Sequence, residues 1–312
     1  MYRIRINQKI TGRYGKYICM AMLIMSMGML VGCTPRNNRN TAESTTNAQS
    51  DQTQTVEVTT QESTQAVTTT EEPTTATSDY ASISNEKYAW WFMRTKDHTQ
   101  PGCQQDFDVT QYDGYYVSPD SESKVIYLTF DCGYENGFTP SILDTLKSEG
   151  VHAMFFVTKP FIKDNADLVK RMKEEGHMVG NHTVHHPSMP DLSVDEVKSE
   201  VLDCQAYMKE QTGYDMDHFI RPPKGEYSER TLQVCKDLGY KTIFWSIAYL
   251  DYDTKNQPGA GYVLEQFKNN HHPGAIPLIH NVSESNTQAL PKVIAFLKSE
   301  GYTFGTLDQL GQ

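Results

Sequence analysis

Asp131, His182, His186, Arg221 and His280 are polar residues that stand where apolar runs of the sequence end. Val125-Ile126-Tyr127-Leu128-Thr129-Phe130 leads to Asp131, and Met178-Val179-Gly180-Asn181 leads to His182. His218-Phe219-Ile220 leads to Arg221, and Ile276-Pro277-Leu278-Ile279 leads to His280. An ionised carboxylate can take a proton from water. Imidazoles at 182 and 186 have i, i+4 spacing, so in one helical turn both rings reach one ion. Pro187 disfavours helix at His186, which keeps that turn short. A guanidinium can hold a carboxylate bidentately, and the partner expected for Arg221 is Asp131. A further imidazole, His280, can deliver a proton near neutral pH.

These parts fit hydrolysis of an amide. A divalent metal, with zinc as the ion that suits the ligands, polarises the carbonyl and lowers the pKa of a water. Asp131 takes the proton, a backbone N–H helps hold the oxyanion, and His280 protonates the departing amine. Each residue has a plainer reading when taken alone. Asp131 could cap a loop, the histidines could be a surface cluster, Arg221 could form a structural ion pair, and His280 could be a core residue. Their shared position at run ends favours the joint reading. His185 is directed elsewhere, and His152, His271 and His272 read as structural.

The elements that must position these residues alternate from Lys124 onward. Strands are expected at 124–130, 153–158, 177–182, 217–221, 241–246 and 276–280, with a short one at 302–305. Helices are expected at 138–149, 165–175, 193–212, 228–238, 260–270 and 286–300. Ser193 with Glu196 forms a capping box, and Gly150, Gly176, Gly213, Gly239 and Gly301 close helices. Repeated strand–helix units imply an α/β fold of mostly parallel strands with outer helices. The count points to a distorted (β/α) barrel rather than an eight-fold one. In such folds the strand ends converge on the site.

The chain has 312 residues, 38% hydrophobic and 21% charged, which suits one globular domain plus an unstructured part. A net charge of -11 argues against nucleic acid as a partner. Residues 1–32 read as a lipoprotein signal peptide: Arg3, Arg5, Lys9, Arg13 and Lys16 precede the apolar stretch Tyr17–Val31. That stretch is short for a membrane span, and Leu30-Val31-Gly32-Cys33 has the form of a lipobox with Cys33 as the acylated residue. Removing those five basic residues takes the net charge from -11 to -16. The expected location is extracytoplasmic, with the membrane as a partner through lipid on Cys33. Residues 33–83 are rich in Thr, Ser and Gln and read as a disordered tether spanning on the order of 40 Å. Residues 84–123, with the aromatic run Tyr88-Ala89-Trp90-Trp91-Phe92-Met93, read as a segment packing onto the main domain. Cys19 lies in the leader; Cys103, Cys132, Cys204 and Cys235 could pair, with buried free thiols the plainer reading for Cys204 and Cys235.

The motifs Thr129-Phe130-Asp131-x-Gly133, His182-Thr183-x-x-His186, Arg221-Pro222-Pro223-x-Gly225 and Leu278-x-His280 resemble the polysaccharide deacetylase family of carbohydrate esterases. The resemblance covers about residues 87–310 and implies a catalytic domain over 124–312 on a distorted β/α barrel. It implies that Asp131 is the base, His182 and His186 bind the metal, Arg221 tethers the base and His280 is the acid. Lys224 would supply the backbone N–H to the oxyanion. There are departures. Cys132 replaces a metal-binding aspartate and could be a thiolate ligand, an inert thiol or a disulfide partner of Cys103; Ala248 replaces another aspartate, and Asp251 is followed by Tyr252 rather than Trp. Gly133-Tyr134-Glu135-Asn136-Gly137 is most similar to the subgroup that makes muramic δ-lactam, as are the Trp91 segment with His98, and Ser246 with Val282-Ser283. Tyr134 and Asp251 join the substrate side on that ground. The subgroup removes acetyl groups from N-acetylmuramic acid in peptidoglycan glycan strands stripped of stem peptides. It also carries an association with sporulation. The rival expectations are an N-acetylglucosamine deacetylase of murein or chitin and a catalytically weak glycan-binding lipoprotein.

Overall fold

The computed structural model describes residues 79–103 and 107–310, which belong to the compact unit Thr69–Gln312. The expected leader, Cys33 and most of the expected tether lie outside the described residues. The strands in chain order are β1 Tyr88–Ala89, β2 Phe92–Met93, β3 Gly102–Cys103, β4 Gly114–Tyr115, β5 Val125–Ile126, β6 Thr129–Cys132 and β7 Met154–Val157. They continue with β8 Met178–Asn181, β9 Phe219–Ile220, β10 Glu226–Tyr227, β11 Lys241–Ile243, β12 Leu278–His280 and β13 Thr303–Phe304. The helices are α1 Thr139–Glu149, α2 Lys159–Asp164, α3 Ala166–Glu174, α4 Val194–Thr212, α5 Glu229–Asp237, α6 Ala260–Asn270 and α7 Glu284–Ser299.

One seven-stranded sheet runs β12-β6-β7-β8-β9-β11-β4, and all its pairings are parallel. Beyond β11 the chain returns to the start of β12 through a parallel bridge between Ile247 and Pro277. Ser246 N–H donates to Ile276 O at 2.9 Å, and Leu278 N–H donates to Ile247 O at 2.8 Å. The sheet therefore curls toward closure, which is the distorted barrel expected from the strand–helix alternation.

Strand alternation sorts the side chains into two layers. Phe130, Cys132, Phe155 and Val157 face outward into the main core with Ile142 and Leu146 of α1 and Val293 and Leu297 of α7. Met154 and Phe156 face inward with Phe219, Ile243 and Ile276. The rings of Phe130 and Phe155 stack at 5.1 Å. By the same alternation Thr129 and Asp131 point into the barrel. At about 25 cal/mol per Å² of apolar surface, this two-sided burial is what holds the strand ends in register.

The helices begin where local signals place them. Ser193 accepts from Glu196 N–H and the Glu196 carboxylate returns the bond, which completes the capping box of α4. Gly213 then ends α4 in left-handed backbone, φ 80°. Four differences from expectation have physical reasons. The run 124–130 is two strands, because β5 pairs with β13 while Tyr127 N–H turns to Ala275 O and only β6 enters the main sheet. The six-residue helix α2 was not expected; Thr158 caps it at Phe161 N–H and Pro160 occupies its first turn. In the aromatic segment Trp90 stacks on Phe244 at 4.3 Å and donates its indole N–H to Trp245 O at 2.9 Å. The segment also enters the barrel, since β4 pairs with β11. Folded chain extends back to Tyr80, whose hydroxyl donates to Asp237 at 2.8 Å, so residues 79–83 are not tether.

Candidate active site

Four of the expected residues lie at C-terminal strand ends of the curled sheet. Asp131 is on β6, His182 follows β8, Arg221 follows β9, and His280 ends β12. His280 and Asp131 are register partners on adjacent strands. Asp131 and Arg221 are on strands separated by two others, which in a flat sheet would be about 14 Å apart. Curling brings them together: Arg221 Nη1 donates to Asp131 Oδ1 at 2.6 Å.

Arg221 is wholly buried, at 0% exposure, so every donor must find a partner. Its Nη2 donates to Thr129 Oγ1 at 2.8 Å and Phe244 O at 3.2 Å, and its Nε donates to Ile243 O at 3.1 Å. Its guanidinium lies over Phe156 at 4.4 Å and near Trp245 at 5.8 Å. Thr129 Oγ1 in turn donates to Pro277 O at 2.5 Å. Burial by itself would raise the pKa of Asp131, but Arg221 and then His182 and His280 outweigh it and hold the carboxyl below the ordinary carboxylate value.

The opposite balance acts on His280. Burial disfavours its charged form, yet Asp251 outweighs burial and raises its pKa above 6.5. His280 Nδ1–H donates to Asp251 Oδ1 at 2.7 Å, and His280 N–H donates to Asp251 Oδ2 at 2.8 Å. The Nε2 atom is left for proton transfer. Asn286 donates to Asp251 Oδ2 at 2.6 Å, and its own carbonyl accepts from Tyr249 OH at 2.9 Å. Gln257 donates to Asp251 O at 2.8 Å. Asp251 is thus a buried partner of the imidazole, at 1% exposure, and not a residue of the open substrate side as expected.

His182 and His186 meet with ring centroids 4.7 Å apart at an angle of 73°. No helical turn brings them together, contrary to expectation. The chain bends instead through left-handed backbone at Thr183 (φ 69°) and His186 (φ 56°). Asn181 Oδ1 accepts from Thr183 N–H at 2.9 Å, and Thr183 Oγ1 accepts from His186 N–H at 3.1 Å. His182 Nδ1 donates to Arg221 O at 2.8 Å, which fixes its tautomer and leaves Nε2 with its lone pair, 3.6 Å from Asp131 Oδ2. Burial lowers the pKa of His182, and burial with the His182 charge brings His186 down to about 4. Both are neutral donors at pH 7. His185 turns outward and pairs with Glu200 at 2.6 Å.

The loop after β6 lies against the loop after β12. Asn281 donates to Tyr134 O at 3.0 Å, and Asn136 donates to Val282 O at 3.1 Å. Glu135 accepts from Thr139, locking the loop to α1. Tyr134 is held by its backbone with its side chain 53% exposed.

Residues 118–243 match the family profile described as polysaccharide deacetylase. The peptidoglycan-N-acetylmuramic acid deacetylase PdaA of Bacillus subtilis (strain 168) is 42% identical over 230 residues, 73% of this chain and 87% of that protein. The chain belongs to the polysaccharide deacetylase family. A solved structure of Bacillus subtilis PdaA, described as a family 4 carbohydrate esterase, matches this deacetylase with a TM-score of 0.70, covering 73% of this chain and 98% of that one. The peptidoglycan-N-acetylglucosamine deacetylase PgdA of Listeria monocytogenes (strain 10403S) is 38% identical over 188 residues, 60% of this chain and 39% of that one.

The family implies a divalent metal for this deacetylase. Among the described residues no group of three or more His, Cys, Asp or Glu side chains is arranged to hold an ion. Cys132 does not join the histidines: strand alternation turns it into the outer core with Phe130, away from Asp131. Its thiol is pushed well above its ordinary pKa by burial and then by Asp131 and Glu135, so it stays protonated. It forms no disulfide, and Cys103, Cys204 and Cys235 are free as well. The neutral imidazole pair, with one tautomer fixed by a backbone carbonyl, does suit a borderline divalent ion.

Sequence reasoning missed Thr129, Asn286, Asn281 and Gln257. Thr129 carried a signal, because it stands two residues before Asp131 and so shares its face. Asn286 carried a weaker one, a polar residue on the face that also holds Ala289, Leu290 and Val293. His98, noted upstream, stacks on His271 at 4.0 Å, and His272 Nε2 bonds Ser246 Oγ at 3.0 Å, so these polar groups support the barrel wall.

Proposed function

We propose that this deacetylase hydrolyses the N-acetyl group of N-acetylmuramic acid in peptidoglycan, a step toward muramic δ-lactam. The observation that carries the reaction is the juxtaposition of Asp131 and His280 on neighbouring strands with opposite pKa shifts. A carboxylate biased toward its ionised form beside an imidazole biased toward its protonated form is an acid–base pair poised for its work. The substrate is carried over from the muramic acid relative, which this chain matches across most of its length.

Asp131 accepts a proton from the attacking water as the oxygen bonds to the acetyl carbon. Arg221 keeps the carboxylate aimed and charged. The backbone N–H of Lys224 contributes to the oxyanion site. His280 then gives its Nε2 proton to the sugar nitrogen as the C–N bond breaks, leaving acetate and a free amine. Asp251 stabilises the imidazolium that makes this possible. His182 and His186 would hold a divalent ion, zinc by donor type, which supplies polarisation of the carbonyl. Tyr134, exposed on the loop beside His280, provides a face for the sugar ring.

The test is a mass-resolved muropeptide digest of stem-free peptidoglycan treated with the full chain. Loss of acetyl from muramic acid, followed by loss of water on lactam closure, is the expected result. Acetyl loss from glucosamine alone would support the second reading, which the Listeria relative favours. Metal content and chelator sensitivity on the same preparation test the zinc assignment. We further infer that residues 1–32 are a lipoprotein signal and that Cys33 carries lipid. On this reading, residues 33–78 tether the catalytic domain outside the cytoplasm. A wild-type chain that takes up no labelled fatty acid, or a Cys33→Ser chain that takes up as much as wild type, would contradict the lipid assignment.

A further inference from the structure

Lys224 is a non-glycine residue in left-handed backbone, φ 59° and ψ 5°. Its neighbour Gly225 is left-handed as well, φ +65°, and there glycine is required: an added Cβ would lie 2.6 Å from the Trp245 ring and 3.3 Å from Trp90. A side chain at 224 therefore sits under steric strain that glycine would relieve. The side chain is exposed, and among the described residues it enters no ion pair. A nearby acid, Asp191, is already held by Lys87 at 2.6 Å.

The turn that carries Lys224 is fastened to the site. Arg221 O accepts from His182 Nδ1 at 2.8 Å, three residues before the lysine. Arg221, also a cation at the site, is buried and committed to Asp131. The protein as a whole carries a net charge of -11, so an anionic ligand needs a local cation to approach.

N-acetylmuramic acid differs from N-acetylglucosamine by a lactyl ether on O3, beside the acetamido carbon, and that ether ends in a carboxylate. We propose that the Lys224 ammonium is a specificity-determining group that pairs with this lactyl carboxylate and so selects muramic acid over glucosamine. The assignment rests on the muramic acid reading above and names the group that reads the substrate. A free carboxylate is needed for the pairing; an ester or an amide in its place loses the charge that Lys224 recognises.

The experiment measures kcat and KM for acetate release by the full chain, with stem-free muramyl glycan and with its lactyl methyl ester. Wild type is compared with Lys224→Gly, which fits the left-handed backbone and keeps the N–H, and with Lys224→Arg. Wild type is expected to prefer the free acid. Lys224→Gly should raise KM for the acid about tenfold with a much smaller change in kcat, and bring the acid-to-ester ratio of kcat/KM close to one. Lys224→Arg should restore most of the preference, and added salt should weaken it in wild type. If Lys224→Gly keeps the wild-type acid-to-ester ratio, the assignment is overturned and the muramic acid reading stands. If wild type releases acetate from chitooligosaccharide and none from muramyl glycan, the substrate reading fails and the Lys224 assignment fails with it.

Discussion

Two buried aspartates flank the reacting centre, and they do opposite things. Asp131 is paired with a guanidinium that cannot give up its proton, so the pair keeps the carboxylate itself reactive and ionised. Asp251 is paired with an imidazole that can, so its charge is spent on keeping His280 protonated. The residue type is the same and so is the burial; the partner sets the role. Asn286 sharpens the contrast, since it fills the second oxygen of Asp251 and leaves only the imidazole to respond to pH.

The largest effect expected from breaking this contrast is at the base. Asp131→Asn should lower kcat for acetate release by about 10²- to 10⁴-fold while leaving the fold intact by circular dichroism. Removing the base's partner should act on stability instead. Arg221→Met leaves a buried carboxylate unpaired and should cost about 3–5 kcal/mol in urea unfolding. Asp251→Asn should lower the rate at neutral pH by about 10- to 100-fold. It should also move one limb of the pH profile. The raised pKa of His280 keeps the acid form present to higher pH, and activity is lost as pH rises through that value. Without the Asp251 charge the loss should come at lower pH, while the acidic limb set by Asp131 stays where it was. A high-pH limb that does not shift would remove His280 from the acid's role. The smallest effect is expected at Cys132. Cys132→Ala should cost about 1 kcal/mol of stability and leave metal content per chain unchanged, measured on the same preparation.

The site was legible in the sequence where its chemistry coincides with a local pattern. Asp131, His182, Arg221 and His280 each end an apolar run, and strand ends in a parallel sheet are where such runs expose polar groups. Helix limits followed from caps such as Ser193 and Gly213. What stayed hidden depends on distant parts of the chain meeting. Nothing near Asp251 says that it will face His280 rather than substrate, because the two are 29 positions apart with a whole helix between them. The division of 124–130 into two strands follows from competition between β13 and the main sheet, which no local periodicity records. The wrong expectation of a helical turn at His182 came from reading spacing alone. Two left-handed residues reach the same proximity of rings by another backbone route.

Arg221 has no exposed surface and holds its charge against one carboxylate, Asp131. A molecule assembling its interior cannot seat that arginine until the strand bearing Asp131 has arrived to neutralise it. The contact that completes this part of the interior is thus also the one that holds the proposed proton acceptor ionised. Loss of the Arg221 side chain is therefore expected to register as lost stability, and neutralising Asp131 as slow turnover.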